Sequence, residues 1–222
     1  MCDTTLAIRS WIASHGRHTP AEVAIELGYD EKNILIIDGQ WDLLKQRYPE
    51  YWQTILSNQH QADRRTPEKW AETMTYNWLL EDIMMRLLNN AGVKCRRSGI
   101  DKDRSILNST NVSGTPDFII SDFNGNERFM EMNFNSNNYW KDTETMDLRD
   151  NKYKNLIRSN SLLFSICLSD STFAILEPAY IPAESNYIQN FGKAGTTLDL
   201  RGTRWQRLLS KNLKDAIYSH SI

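Results

Sequence analysis

Two runs, "SLLFSICLS" from Ser161 to Ser169 and "TFAILE" from Thr172 to Glu177, limit the fold more than any other feature of this chain. Both are apolar, rich in β-formers and separated only by Asp170-Ser171, so they predict a pair of buried strands. Helical signals stand on either side. Thr66-Pro67-Glu68 opens a long helix that continues to about Asn90, ahead of Gly92. Trp205, Leu208, Leu209, Leu213 and Ile217 recur at helical spacing near the C-terminus, and residues 145 to 158 also read as a helix. Further strands are expected at Val93–Arg96 and on both sides of an Asn124-Gly125 turn. Helices alternating with strands set the class as α/β, with a mixed central β-sheet flanked by helices.

The first 60 residues read as short helices. Thr19-Pro20-Ala21-Glu22 forms a capping box with proline at the first helical position, and Gly28 supplies a stop. Trp11, Ile12, Val23, Ile25 and Leu27 are expected to cluster around it. The chain thus divides into an N-terminal helical subdomain (residues 1–65), suited to packing, dimerisation or DNA contact, and a second part (66–222) that holds the strands and a basic C-terminal helix. On the long helix, Trp70, Met74, Trp78, Met85 and Leu88 make an apolar stripe, and Glu81 falls on it. An acid there is costly unless its charge is compensated. Asp82 is expected on the outer face, paired with Arg86 at i,i+4.

Composition narrows the functional classes. The 222 residues are 40% apolar and 24% charged, which suits an ordinary globular domain. No apolar run approaches the roughly 18 residues needed to cross a bilayer. The opening Met-Cys-Asp-Thr-Thr has neither a basic nor an apolar stretch, and the three cysteines are too few and too scattered for a disulfide framework. These features predict a cytoplasmic protein with no membrane partner. A net charge of −2 argues against coating nucleic acid, but leaves room for local grip by Arg201, Arg204, Arg207, Lys211 and Lys214, or by Lys94, Arg96, Arg97, Lys102 and Arg104. No Gly-rich phosphate loop follows a strand, the four histidines lack partners at ligand spacing, and Ser113 and Ser136 have no identifiable base.

One stretch does carry chemistry. From Gly114 to Phe134 the chain reads "GTPDFIISDFNGNERFMEMNF", with Asp117 and Glu131 on neighbouring strands and Asn133 two residues beyond Glu131. Residues two apart on a strand share a face, so Glu131 and Asn133 point the same way, while Met130, Met132 and Phe134 face the core. Hydrolysis of a phosphodiester needs a hard divalent cation, and Mg²⁺ is usually held by one or two carboxylates. The two acids share a face only if the connection between their strands has an odd number of residues, such as Asn124–Asn126, or if a bulge intervenes.

Pro116-Asp117, a strand-turn-strand and Glu131-Met132-Asn133 together resemble the PD-(D/E)XK nuclease superfamily, and within it the type II restriction endonucleases. The helix-strand-hairpin-helix-strand order over residues 67 to 177 is similar to that family's core, so the resemblance covers about half the chain. It implies a restriction-endonuclease-like core, Mg²⁺ held by Asp117 and Glu131, Asn133 positioning water or phosphate, and Glu81 assisting as a further metal ligand. The usual lysine of the motif is replaced by Asn133, with Lys141, Lys152 or Lys154 as substitutes from elsewhere. The implied activity is sequence-specific cleavage of double-stranded DNA by a homodimer. Asn135, Asn137, Asn138 and Lys141 are candidates for base contacts, and Arg201 and Arg204, at the start of the last helix, for phosphate contacts. Two alternatives stand beside it: a nuclease of repair, recombination or mobile-element transfer, and an inactive DNA-binding module.

Overall fold

A computed structural model describes residues 4–16, 18–58, 65–99, 101–106, 115–121, 124–188 and 193–220. Cys2, His60 and Ser113 lie outside the described residues. The chain is mixed α/β and forms two compact units: Met1–Ile83 with Ile100–Ser113, and Met84–Gly99 with Gly114–Ile222. The division falls inside the long helix rather than ahead of it at residue 65.

The first unit is helical. It contains α1 (Thr4–His15), α2 (Pro20–Glu26), α3 (Glu31–Ile37), α4 (Trp41–Arg47), α5 (Pro49–Asn58) and the part of α6 (Pro67–Asn90) up to Ile83. The capping box closes as its residues require. The Thr19 side chain accepts from the Glu22 N–H, and the Glu22 carboxylate accepts from the Thr19 N–H at 2.6 Å. Gly28 ends α2 at φ +78°, a left-handed conformation that glycine adopts without a Cβ penalty. Ile8, Trp11, Ile12, Ala24, Ile36, Leu44 and Ile55 are buried, whereas Ile25, expected in the same cluster, faces solvent at 59% exposure.

Charge is also sealed into this unit. Asp82 has no exposed surface, so its expected place on the outer face is overturned. Its carboxylate accepts two bonds from Arg104, at 3.0 Å from Nε and 2.8 Å from Nη2, and a third at 2.5 Å from the Tyr29 hydroxyl. Burial opposes the charge on Arg104, but the Asp82 hydrogen bonds and the neighbouring Glu81 hold its pKa above the ordinary value. Arg104 itself sits at φ 53°, a left-handed backbone that costs a non-glycine residue roughly 1–2 kcal/mol. Its carbonyl accepts from Asn33 Nδ2 at 2.8 Å, and Trp78 Nε1 donates to Asp101 at 2.6 Å, so the strained turn is tied at several points.

The second unit holds the strands. These are β1 (Cys95–Arg97), β2 (Phe118–Ser121), β3 (Glu127–Asn135), β4 (Thr145–Arg149), β5 (Leu162–Cys167), β6 (Thr172–Leu176), β7 (Ala183–Ile188), β8 (Lys193–Asp199) and β9 (Gln206–Arg207). Its helices are α7 (Tyr139–Thr143), α8 (Asp150–Arg158) and α9 (Ser210–Tyr218). A six-stranded mixed sheet runs β1-β2-β3-β5-β6-β9, and a three-stranded sheet runs β4-β8-β7. Every residue of β5 is buried, as its apolar run demands. Met146 and Leu148 of β4, Leu156 of α8, Leu163, Ala174, Leu176 and Leu198 form one core cluster, against which Trp140, Tyr153 and Trp205 pack.

Two element readings are corrected here. Residues 145 to 158 split into β4 and α8, because Met146 and Leu148 alternate at strand period and α8 begins only at Asp150. The last helix starts at Ser210; Trp205 and Leu208 precede it in the β9 segment. Among the described residues, no helix is long and apolar enough to cross a membrane.

Removing Asp82 strips a buried guanidinium of its two-bond partner and leaves Glu81 as its nearest acid. Asp82→Ala is expected to lower stability by about 3–5 kcal/mol. Arg96→Ala, which breaks an ion pair with Glu127 whose side chains are 58% and 56% exposed, should cost under about 1 kcal/mol. Urea denaturation of the two variants checks the contrast.

Candidate active site

The site begins with the pairing of β2 and β3. Phe118 lies opposite Met130, Ile119 opposite Phe129, Ile120 opposite Arg128 and Ser121 opposite Glu127. The connection is therefore residues 122–126, five in number, which is odd as the sequence argument requires. Gly125 takes φ +83° within it. One step past the Phe118–Met130 pair, Asp117 comes opposite Glu131, and cross-strand partners share a face.

Asp117 is tied to that strand directly. Its Oδ2 accepts from the Met132 backbone N–H at 2.8 Å, standing in for a ladder acceptor where β2 has begun only at Phe118. Its own carbonyl accepts from the Ser98 N–H at 2.7 Å. Met130 and Met132 are buried on the opposite face and anchor β3, leaving Glu131 and Asn133 half-buried on the site face.

A lysine completes the group. Lys152 reaches in from the first turn of α8, with Nζ at 2.7 Å from Glu131 Oε1 and 2.6 Å from Asn133 Oδ1. A cation in the first turn opposes the helix dipole, so α8 alone gives no reason for a lysine there; the carboxylate it meets does. These contacts use two of the ammonium's three N–H donors. The other candidates are engaged elsewhere: Lys141 with Asp170 and Thr172, and Lys154 with Asp150.

Glu81, the further metal ligand that the resemblance implies, lies on α6. It belongs to the first unit, where its Oε2 lies 2.8 Å from Arg104 Nη1, and that guanidinium is what compensates an acid on a buried stripe. The amides proposed for base contacts use their Oδ1 atoms in local bonds. Asn135 Oδ1 accepts from the Asn137 N–H, Asn137 Oδ1 from the Tyr139 N–H, and Asn138 Oδ1 from the Ser169 hydroxyl. Arg201 and Arg204 lie ahead of β9 rather than on the last helix. Arg201 Nε pairs with Asp199 at 3.0 Å, holding that carboxyl down at a pKa of about 2, while Arg204 is exposed.

The donor set of the site is Asp117, Glu131 and the Asn133 amide oxygen, all oxygen and therefore suited to a hard divalent cation. Among the described residues, no group of three or more His, Cys, Asp or Glu side chains is arranged to hold a metal ion. Searches against protein-family models, curated proteins and solved structures found no match.

The Lys152–Glu131 pair, 31% and 17% exposed, is better shielded than Lys154–Asp150, at 59% and 34%. A double-mutant cycle with Lys152→Met and Glu131→Gln, read by urea denaturation, should give a coupling of about 1 kcal/mol. The cycle for Lys154 and Asp150 should give less than about 0.5 kcal/mol.

Proposed function

We propose that this protein is a Mg²⁺-dependent endonuclease of the type II restriction class, cutting double-stranded DNA in the cytoplasm as a homodimer. The observation that carries the reading is the geometry around β3. The Asp117 carboxylate accepts from the backbone N–H next to Glu131, at Met132, and an ammonium bridges Glu131 to the amide two residues on. The element order α6-β1-β2-β3, then α8 and β5 parallel to β3, supports it as the order the resemblance implies.

Asp117 and Glu131 would hold the cation, which when bound supplies Lewis acidity and lowers the pKa of an attacking water. The chain's own groups do the rest. Lys152 keeps one N–H donor beyond Glu131 and Asn133 for an anionic phosphate oxygen, and so returns to the site the positive charge that Asn133 lacks. Asn133 orients that ammonium through Oδ1. Water adds to phosphorus as the P–O bond to the leaving strand breaks, and the fixed ammonium offsets the charge that develops on the phosphoryl oxygens. Arg204, Arg207, Lys211 and Lys214, all exposed near β9 and α9, are suited to the flanking phosphates.

Digestion of a mapped supercoiled plasmid with Mg²⁺, followed by sequencing of the ends, tests the reading. Ends at one short sequence, abolished by chelation, are expected. Asp117→Ala and Glu131→Ala should each lower cutting by about 10³-fold, and Lys152→Ala by about 10²-fold. Unchanged cutting by Glu131→Ala would overturn the site, and ends scattered over junctions or mismatches would replace restriction with a structure-directed nuclease.

A further inference from the structure

β5 runs parallel to β3, and its register sets Ser165 against Asn133. Residues paired across neighbouring strands project to the same face, so the hydroxyl and the amide lie side by side. Ser165 has no exposed surface, and its Oγ has no hydrogen-bond partner. A buried hydroxyl left in that state costs about 1–3 kcal/mol. The rest of β5, Leu162, Leu163, Phe164, Ile166 and Cys167, is buried and apolar, and an alanine at 165 would avoid the cost.

Asn133 has the complementary deficit. Its Oδ1 accepts from Lys152, but Nδ2, which carries two N–H donors, meets only the Met146 thioether at 3.9 Å. Sulfur of that kind is a weak acceptor. On the other side of Ser165 the row continues with Ala174, which has no polar side chain to offer. A side-chain donor with no strong acceptor therefore stands beside a buried hydroxyl with no partner.

We propose that Ser165 is a positioning residue for Asn133. Its Oγ accepts from Asn133 Nδ2–H after a rotation about the side-chain torsions, so that the amide is held at both ends with Oδ1 towards Lys152. A flipped amide would aim its N–H donors at the ammonium, and the contact with Lys152 would be lost. The hydroxyl thus acts through Asn133 on the direction in which Lys152 presents its remaining donor, without touching substrate. The inference rests on the reading of Asn133 as part of the site.

Two measurements test it. In ¹⁵N-labelled protein, the side-chain amide signal of Asn133, assigned by its loss in Asn133→Asp, should move in Ser165→Ala, while backbone signals of β3 away from residue 133 stay in place. With plasmid substrate, Ser165→Ala should lower kcat about three- to tenfold and leave KM unchanged. In an Asn133→Ala background the same substitution should have no further effect. Ser165→Cys, nearly isosteric and a weaker partner, should fall between wild type and alanine, and it replaces the alanine variant if that does not fold. An unmoved Asn133 amide signal, or kcat losses that multiply in the double variant, overturns the proposal. If the wild-type protein shows no Mg²⁺-dependent cutting, the nuclease reading falls, and the amide signal alone still decides whether Ser165 holds Asn133.

Discussion

The second unit depends on the register in which β3 is held between β2 and β5. β2 pairs with it antiparallel and β5 parallel, so both edges of β3 are bonded. A slip of one residue would turn Met130 and Met132 towards the site face and drive Glu131 and Asn133 into the apolar layer. A carboxylate buried there without a partner costs far more than the strand gains from any single contact. The same register brings Asp117 opposite Glu131, Ser165 beside Asn133 and the core residue Leu163 beside Glu131. Chemistry and packing at this place are two faces of one alignment.

The two units treat buried acids in different ways. In the first, Arg104 clamps Asp82 through two parallel hydrogen bonds, and the guanidinium is 4% exposed. A planar fork of fixed donors suits a permanent clamp. In the second, Glu131 meets a lysine that is 31% exposed on a flexible stem. A point charge on such a stem can turn towards an incoming anion while staying near its carboxylate. On the proposed function, that difference separates a carboxylate that holds the fold from one that acts on a substrate. Glu81, on an apolar stripe, likewise has its charge answered by Arg104.

Much of the fold was legible where local signals agree. The capping box at Thr19, the start of α6 at Pro67, and the apolar runs of β5 and β6 each need only neighbouring residues to specify them. Asp117, Glu131 and Asn133 were legible because strand alternation and an odd connection are short-range rules. Asp82 was misread as outward because its partner lies 22 residues away in sequence and no periodicity announces it. β4 was misread as helix because five residues of alternation, Thr145 to Arg149, run straight into the helical spacing of α8. The β7–β8 pair has no local sequence signal, since β7 is almost wholly exposed and lacks an apolar face. Lys152 could be narrowed to three lysines from sequence, and only the packing of α8 against the core cluster selects it.

The first unit is discontinuous: residues 1–83 belong to it, but so do 100–113. A ribosome delivers the chain in order, at roughly 5–20 residues per second, and holds back the most recent stretch. Until Arg104 emerges, the helices before it can gather, yet Asp82 has no guanidinium to meet and its burial is unfavourable. The unit thus has its own late checkpoint, in which a short turn strained at Arg104 serves as the closing piece. Nascent chains that stall before it carry a nearly complete helical cluster in which Asp82 and Glu81 both lack their guanidinium, a species that solvent and chaperones would both meet in an open form.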